Sequence, residues 1–331
     1  MMPFEHDDIE AWHIDRQGLS ACETAPADAM PDALAPGDLP LVVREPTRVR
    51  FGDQALLLDQ QGLYMFHDRG RLRWSDPDAL PTVQQQRHND ASVILFQDDV
   101  NTLFAGLATL HVHGWVHADF DMEARLAWMK RGLLSCTCGT IAQVGVHLLT
   151  SFGYGARMVS GLRVRGPYDA RDNGHMLFEY FDPQLGRWVL VDLDTHSCFA
   201  WQGQPLSLGD VADCIHRGQR FEIVPLTPPG FAIPDTTGYV APQTGTTYMT
   251  FKLLSEPHLR QWFELVLEVP VIEADGRRWF WHPDDDLAQR AASYAQGAER
   301  LGREQWLSRF YGDNLTASAT GITTDTTGNQ S

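Results

Sequence analysis

Residues 135–162 read SCTCGTIAQVGVHLLTSFGYGARMVSGL, and the run that opens at Cys138 is too apolar and too full of small residues to lie on a surface. Its spacing predicts a helix over 138–152. Cys138, Ala142, Gly145 and Leu149 share one face, because positions three and four apart are neighbours, while Ile141, Val144 and Leu148 fill another side. Such a helix is buried on several faces. Ser135 or Thr137 can cap its start and Gly153 ends it. The small residues beside the thiol let the helix axis come close to a neighbouring sheet, and the next segments supply one. Residues 155–165, 175–181 and 187–193 read as strands, the last two joined by DPQLGR into a hairpin. Helix followed by strands gives an α+β class, a cysteine-bearing helix packed on an antiparallel sheet, with N- and C-terminal additions.

The remaining segments fall around this core. Residues 1–90 form an Ala-, Pro- and Asp-rich arm of about 40 residues followed by a β-rich region of short runs with Gly and Asp turns. The core itself covers 91–225, with helical spacing in DDVNTLFAGLATLHVHGW and DMEARLAWMKRG before the quoted run and a helix near 207–217 after it. Residues 226–313 form a C-terminal extension with a Pro/Gly/Thr-rich loop over 227–246 and helical stretches near 256–267 and 284–311. Residues 314–331 have almost no apolar content and are expected to be disordered.

Composition limits what the chain can bind. Its 331 residues suffice for a sizeable buried core, with 43% hydrophobic and 21% charged residues, and the formal net charge is −17. That charge disfavours wide contact with nucleic acid or anionic membrane. No run of about 18 apolar residues predicts a membrane span. The first residues lack the basic and apolar regions of a secretory signal, and five cysteines (Cys22, Cys136, Cys138, Cys198 and Cys214) form no disulfide framework. Reduced thiols in a cytoplasmic protein are expected.

Cys138 falls in the first turn of its helix, where unpaired amides and the helix dipole favour a thiolate. A nucleophile needs a base and an acid to hold it. Strand alternation puts His175, Leu177, Glu179 and Phe181 on one face, and Trp188, Leu190, Asp192 and Asp194 on one face of the return strand. If the loop is DPQL, His175 opposes Asp192; if it is two residues longer, Asp194 becomes the opposite residue. Either register joins a thiol, an imidazole and a carboxylate. Glu179 reads as a strand-orienting or salt-bridged acid and Arg157 as a structural cation at the helix exit. His111, His113 and His147 read as structural histidines, and His196 as a weaker base than His175. Zinc held by Cys136 and Cys138 with Cys198, Cys214 or His196 is disfavoured, because a one-residue gap is poor ligand spacing and no second cysteine pair exists.

Cys138, Ala142, Gly153 and Arg157, then His175 with Glu179 four residues on, then Trp188, Val191 and Asp192, resemble the transglutaminase-like superfamily. Its pattern is a cysteine opening a helix, a GxxxR exit into a strand, an HxWxE strand and a W…vD strand. The likeness spans roughly 130–196, and this chain departs from it with Cys136 and Leu177. It implies a papain-like core, with Cys138 as nucleophile, His175 as general base and acid, and Asp192 as the orienting carboxylate. The activity implied is acyl transfer through a cysteine thioester, from an amide or peptide donor to an amine or to water, with no metal or organic cofactor. A protease or amidase, or a catalytically silent binding module on the same fold, are the alternatives.

Overall fold

The computed structural model describes residues 100–129, 134–165, 174–226, 256–295 and 297–312, with short strands between residues 42 and 96. The N-terminal arm, the loop over 227–246 and the C-terminal tail lie outside the described residues. The chain divides into two compact units, one made of Met1–Gly153, Val191–Cys198 and Ile223–Leu259, the other of Tyr154–Leu190, Phe199–Glu222 and Arg260–Ser331.

The first unit begins with the short strands β1 (Val42–Val43), β2 (Thr47–Phe51), β3 (Gln54–Leu58), β4 (Leu63–His67), β5 (Leu72–Ser75), β6 (Ala91–Val93) and β7 (Leu95–Phe96). β2 pairs with β3, β4 lies between β5 and β6, and β1 runs parallel to β7. Helix α1 (Val100–Thr109) follows, with Leu103, Phe104, Ala105, Leu107 and Ala108 all buried. The helical spacing read through HVH stops short of it. His111–His113 form strand β8, which pairs in parallel with β9 (Leu134–Cys136), between them helix α2 (Met122–Met129). Backbone bonding to β9 outweighs the helical period here, and Leu134 N bonds Leu110 O at 2.7 Å.

Helix α3 (Cys138–Ser151) then starts after extended Thr137. Ile141, Ala142, Val144, Gly145, Leu148 and Leu149 are all buried, so both predicted faces are covered. Phe152 N reaches the carbonyls of Leu148 and Leu149, and Gly153 at φ 89° takes the left-handed conformation that ends the helix.

The second unit carries most of one mixed sheet. Its strands are β10 (Ala156–Leu162), β11 (Gly174–Asp182), β12 (Arg187–Asp192), β13 (Ser197–Trp201), β14 (Gln204–Pro205), β15 (Glu222–Pro225), β16 (Val269–Ala274), β17 (Arg277–Phe280) and β18 (Ala298–Arg300). The order is β14-β13-β12-β11-β10-β16-β17-β18, with β15 on β13. Helices α4 (Leu208–Arg217), α5 (Glu256–Val266), α6 (Asp285–Tyr294) and α7 (Arg303–Tyr311) complete the described part. The class is α+β. The sheet departs from the expected all-antiparallel form at its edge, because β17 and β18 are parallel. The stretch 284–311 is two helices rather than one, divided by β18, with Gly297 at φ 79° breaking the run. Among the described residues no helix is long and apolar enough to cross a membrane.

One buried acid ties this unit together. Glu179 on β11 is fully buried, and its Oε2 accepts from Arg157 Nε on β10 at 2.9 Å, in the register that pairs the two residues. Oε1 accepts from Leu208 N, at the start of α4, at 2.6 Å and from the Tyr311 hydroxyl at 2.8 Å. Tyr311 in turn accepts from Gly209 N, while Arg157 donates to Phe310 O and stacks over Trp188 at 4.0 Å. Burial, reinforced by the Glu179 charge, pushes the Tyr311 pKa well up and keeps its hydroxyl a donor. Arg157 and Glu179 thus take the structural roles expected of them.

Close backbone approach fixes a second point. A Cβ on Gly161, which pairs with His175 on one side and Pro270 on the other, would lie 2.2 Å from Val266 O and 2.7 Å from Leu267 Cα. Neither contact is a side-chain tip that can swing aside. Gly161→Ala is expected to lower stability by about 1–3 kcal/mol, read as a lower midpoint in thermal or urea unfolding.

Acid sensitivity is built into the same unit. His216 on α4 packs against Trp281 and His282 at ring distances of 4.9 and 4.7 Å, and burial together with the His282 charge pushes its pKa down to about 4, against weaker pulls from Glu268 and Asp213. Between that value and an unfolded pKa of about 6.5 the unfolded chain binds more protons than the folded one, so stability falls as pH drops through this window. The melting temperature is expected to be lower at pH 5 than at pH 7, and His216→Gln to reduce that difference.

Candidate active site

The first unit builds a polar frame around the start of α3. β8 and β9 set His113 opposite Cys136, and Cys136 O accepts from both Gly114 N at 3.1 Å and His111 Nε2 at 3.0 Å. His117 adds a second brace: its Nδ1 accepts from Ser135 N at 2.9 Å, and burial lowers its pKa and keeps the ring neutral for that role. Two residues beyond this braced strand, Cys138 opens the helix half-buried, whereas Cys136 is sealed at 0% exposure. The amides of a first helical turn have no intrahelical partners and are free to meet negative charge on sulfur or on a bound oxygen. Ile141 N is already bonded to Thr137 O, which sets the open end at Cys138 to Thr140.

The chain from Val191 to Cys198 forms a buried turn in the same unit. Val191 pairs with Cys198 and Asp192 with Ser197. Asp192 holds the turn from within: Oδ1 accepts from Asp194 N at 2.9 Å and Oδ2 from the Thr195 hydroxyl at 2.8 Å. His196 takes φ 56° in this turn, and its carbonyl accepts from Leu226 N. Asp194 has a different environment. Its Oδ2 lies 2.8 Å from His113 Nδ1 and its Oδ1 3.6 Å from His111 Nδ1. The carboxylate is 1% exposed, and the His113 side chain is 24% exposed. His113 also meets Trp115 edge-on at 5.7 Å.

In the second unit His175 lies on β11, buried, with its ring edge-on to Trp262 at 4.7 Å. Within the first unit the Cys138 sulfur and a carboxylate oxygen of Asp194 lie within 4.8 Å of one another. The remaining cysteines of the zinc reading have other places. Cys198 donates to Val224 O at 3.6 Å, and Cys214 lies on α4. His147 is exposed on α3.

Of the three residues expected as catalytic, Cys138 and Asp192 belong to the first unit and His175 to the second; the carboxylate found beside Cys138 is that of Asp194, while Asp192, two residues away, caps the turn. His111 and His113 were read only as structural. Their sequence signal was HVH itself, since alternation on a strand puts both imidazoles on one side. The spacing was visible, but the acid they meet lies 81 residues beyond His113 in the chain.

Thiol chemistry follows from these environments. Burial pushes the Cys198 thiol up to about 11, and burial with the Asp210 and Asp213 charges does the same to Cys214. Both are held protonated and unreactive near neutral pH, and Cys136 is sealed. Limited iodoacetamide treatment at pH 7.5 followed by peptide mapping is expected to label Cys138 first among these four. Earlier labelling of any of the other three would count against Cys138 as nucleophile. No protein-family model, no curated protein and no solved structure matches this chain.

Proposed function

We propose that the protein is a cysteine-dependent acyl-transfer enzyme of transglutaminase-like type, with a papain-like core. The observation that carries this reading is a half-buried thiol at a helix start with a buried carboxylate, itself held by the His113 imidazole, within 4.8 Å of it. A merely structural cysteine has no need of that company.

In the proposed cycle the Cys138 thiolate adds to the carbonyl carbon of an amide donor, and the carbonyl oxygen takes up negative charge beside the open amides at the head of α3. His175, as imidazolium, gives its proton to the leaving nitrogen. The C–N bond breaks, an amine departs and a thioester is left on sulfur. An amine or water then adds to the same carbon and loses a proton to His175 as the C–S bond breaks, which restores the thiolate and imidazolium. Asp192 is the orienting carboxylate of this scheme, pre-set by its bonds to Asp194 N and Thr195. Transfer and hydrolysis share every step up to the thioester and differ in which acceptor reaches it.

The reading is tested by incubating wild type and Cys138→Ala with a panel of glutamine-containing peptides and a fluorescent primary amine, followed by intact-mass measurement. An acyl adduct on wild type alone, lost on amine addition with label appearing in the peptide, is the expected outcome. Donor release to water without label would assign an amidase. A folded wild type that forms no adduct, cleaves nothing and transfers nothing would leave a binding module on this fold as the better account.

A further inference from the structure

We propose that Asp194, held by His113, is a second carboxylate of the reacting centre that binds the ammonium group of a cationic acceptor and removes one of its protons. This rests on the function proposed above and concerns its second half, the discharge of the thioester.

A carboxylate oxygen of Asp194 lies within 4.8 Å of the Cys138 sulfur. Once that sulfur is acylated, the carboxylate faces a neutral thioester. It then attracts a cation. The incoming nitrogen must approach a carbon bonded to Sγ, and an oxygen this close to that sulfur leaves room for the two to meet at hydrogen-bond distance, about 2.6–3.2 Å.

Asp194 is also built in as a fixed group. The turn is capped by Asp192. The Asp194 carboxylate meets His113 at 2.8 Å and faces His111 at 3.6 Å, and His111 is tethered to Cys136 O, two residues before the nucleophile. The frame that positions the thiol therefore positions the carboxylate. An ionised carboxylate only accepts, so His113 donates to it from Nδ1.

Proton balance gives the group its task. A primary ammonium that becomes an amide nitrogen must lose two protons, whereas water or a neutral amine loses one. One proton passes from nitrogen to Asp194 and on to solvent. As the C–N bond forms and the C–S bond breaks, the second passes to His175, and sulfur leaves as the thiolate. His113 is a positioning residue in this scheme: it acts through Asp194.

The test uses p-nitrophenyl acetate as donor, so that release of nitrophenolate reads acylation, with n-butylamine as cationic acceptor and methoxyamine as neutral acceptor. In Asp194→Asn the ratio of butylamine discharge to methoxyamine discharge is expected to fall about 100-fold. His113→Ala is expected to lose about tenfold with butylamine only, and His113→Asn, whose amide can make the same donation, to recover most of it. Equal losses with both acceptors, a lost burst in folded Asp194→Asn, or no change would each overturn the proposal. If Asp194→Asn does not fold by circular dichroism, the two His113 variants decide: a loss selective for butylamine and rescued by Asn supports it, and any other pattern overturns it. A wild type without a Cys138-dependent burst would instead sink the acyl-transfer reading itself.

Discussion

A carboxylate removed from water must be compensated, and Glu179 is the place where the second unit does so. An uncompensated buried charge costs several kcal/mol, which here is offset by an arginine fork, a tyrosine hydroxyl and a backbone amide at a helix start. Each partner comes from a different element: Arg157 from β10, Leu208 from α4 and Tyr311 from α7. Satisfying one acid therefore fixes a strand register and two helix ends at once. His175 lies on the same strand, four residues from Glu179 and on the same face, so the interaction that stabilises β11 also holds the candidate base in line. Gly161, its partner in the ladder, keeps the neighbouring backbone close enough for that register.

The first unit uses the opposite economy, with imidazoles and backbone groups rather than a buried ion pair with arginine. His117 accepts from Ser135 N and His111 donates to Cys136 O, so the strand leading into α3 is braced on both sides by rings. Rigid placement matters because a nucleophile and its partners act only when reacting atoms are held within a few tenths of an ångström. The acids of the buried turn divide the work. Asp192 caps the backbone, and Asp194 faces the imidazoles of β8.

These two arrangements differ in what a mutation would disturb. Around Glu179 both carboxylate oxygens are bonded, and changes there act on the fold of the second unit. Around Cys138 the thiol is half-buried and the His113 imidazole partly exposed, so both keep contact with solvent.

The span of α3 was legible in the sequence, although the expected side-chain cap is not made: the Thr137 hydroxyl pairs with that of Thr140 instead. Its apolar period, its small residues and the glycine that ends it are local signals, and Cys138 falls at its head for the same reason. The hairpin of β11 and β12 and the helix α4 were legible likewise, since DPQLGR and the alternating pattern act over a few residues. What local pattern could not decide was partnership. HVH became a strand because β9 offered it a backbone ladder, and 284–311 split because β17 offered one to β18, both overrides of helical spacing by distant hydrogen bonds. The sequence likewise named a thiol, an imidazole and two candidate acids, but alternation fits either register of the hairpin. Only the folded chain, by committing Asp192 to the turn and bringing two histidines to Asp194, gave the two acids different environments, because that depends on contacts between residues some 80 positions apart that no local period encodes.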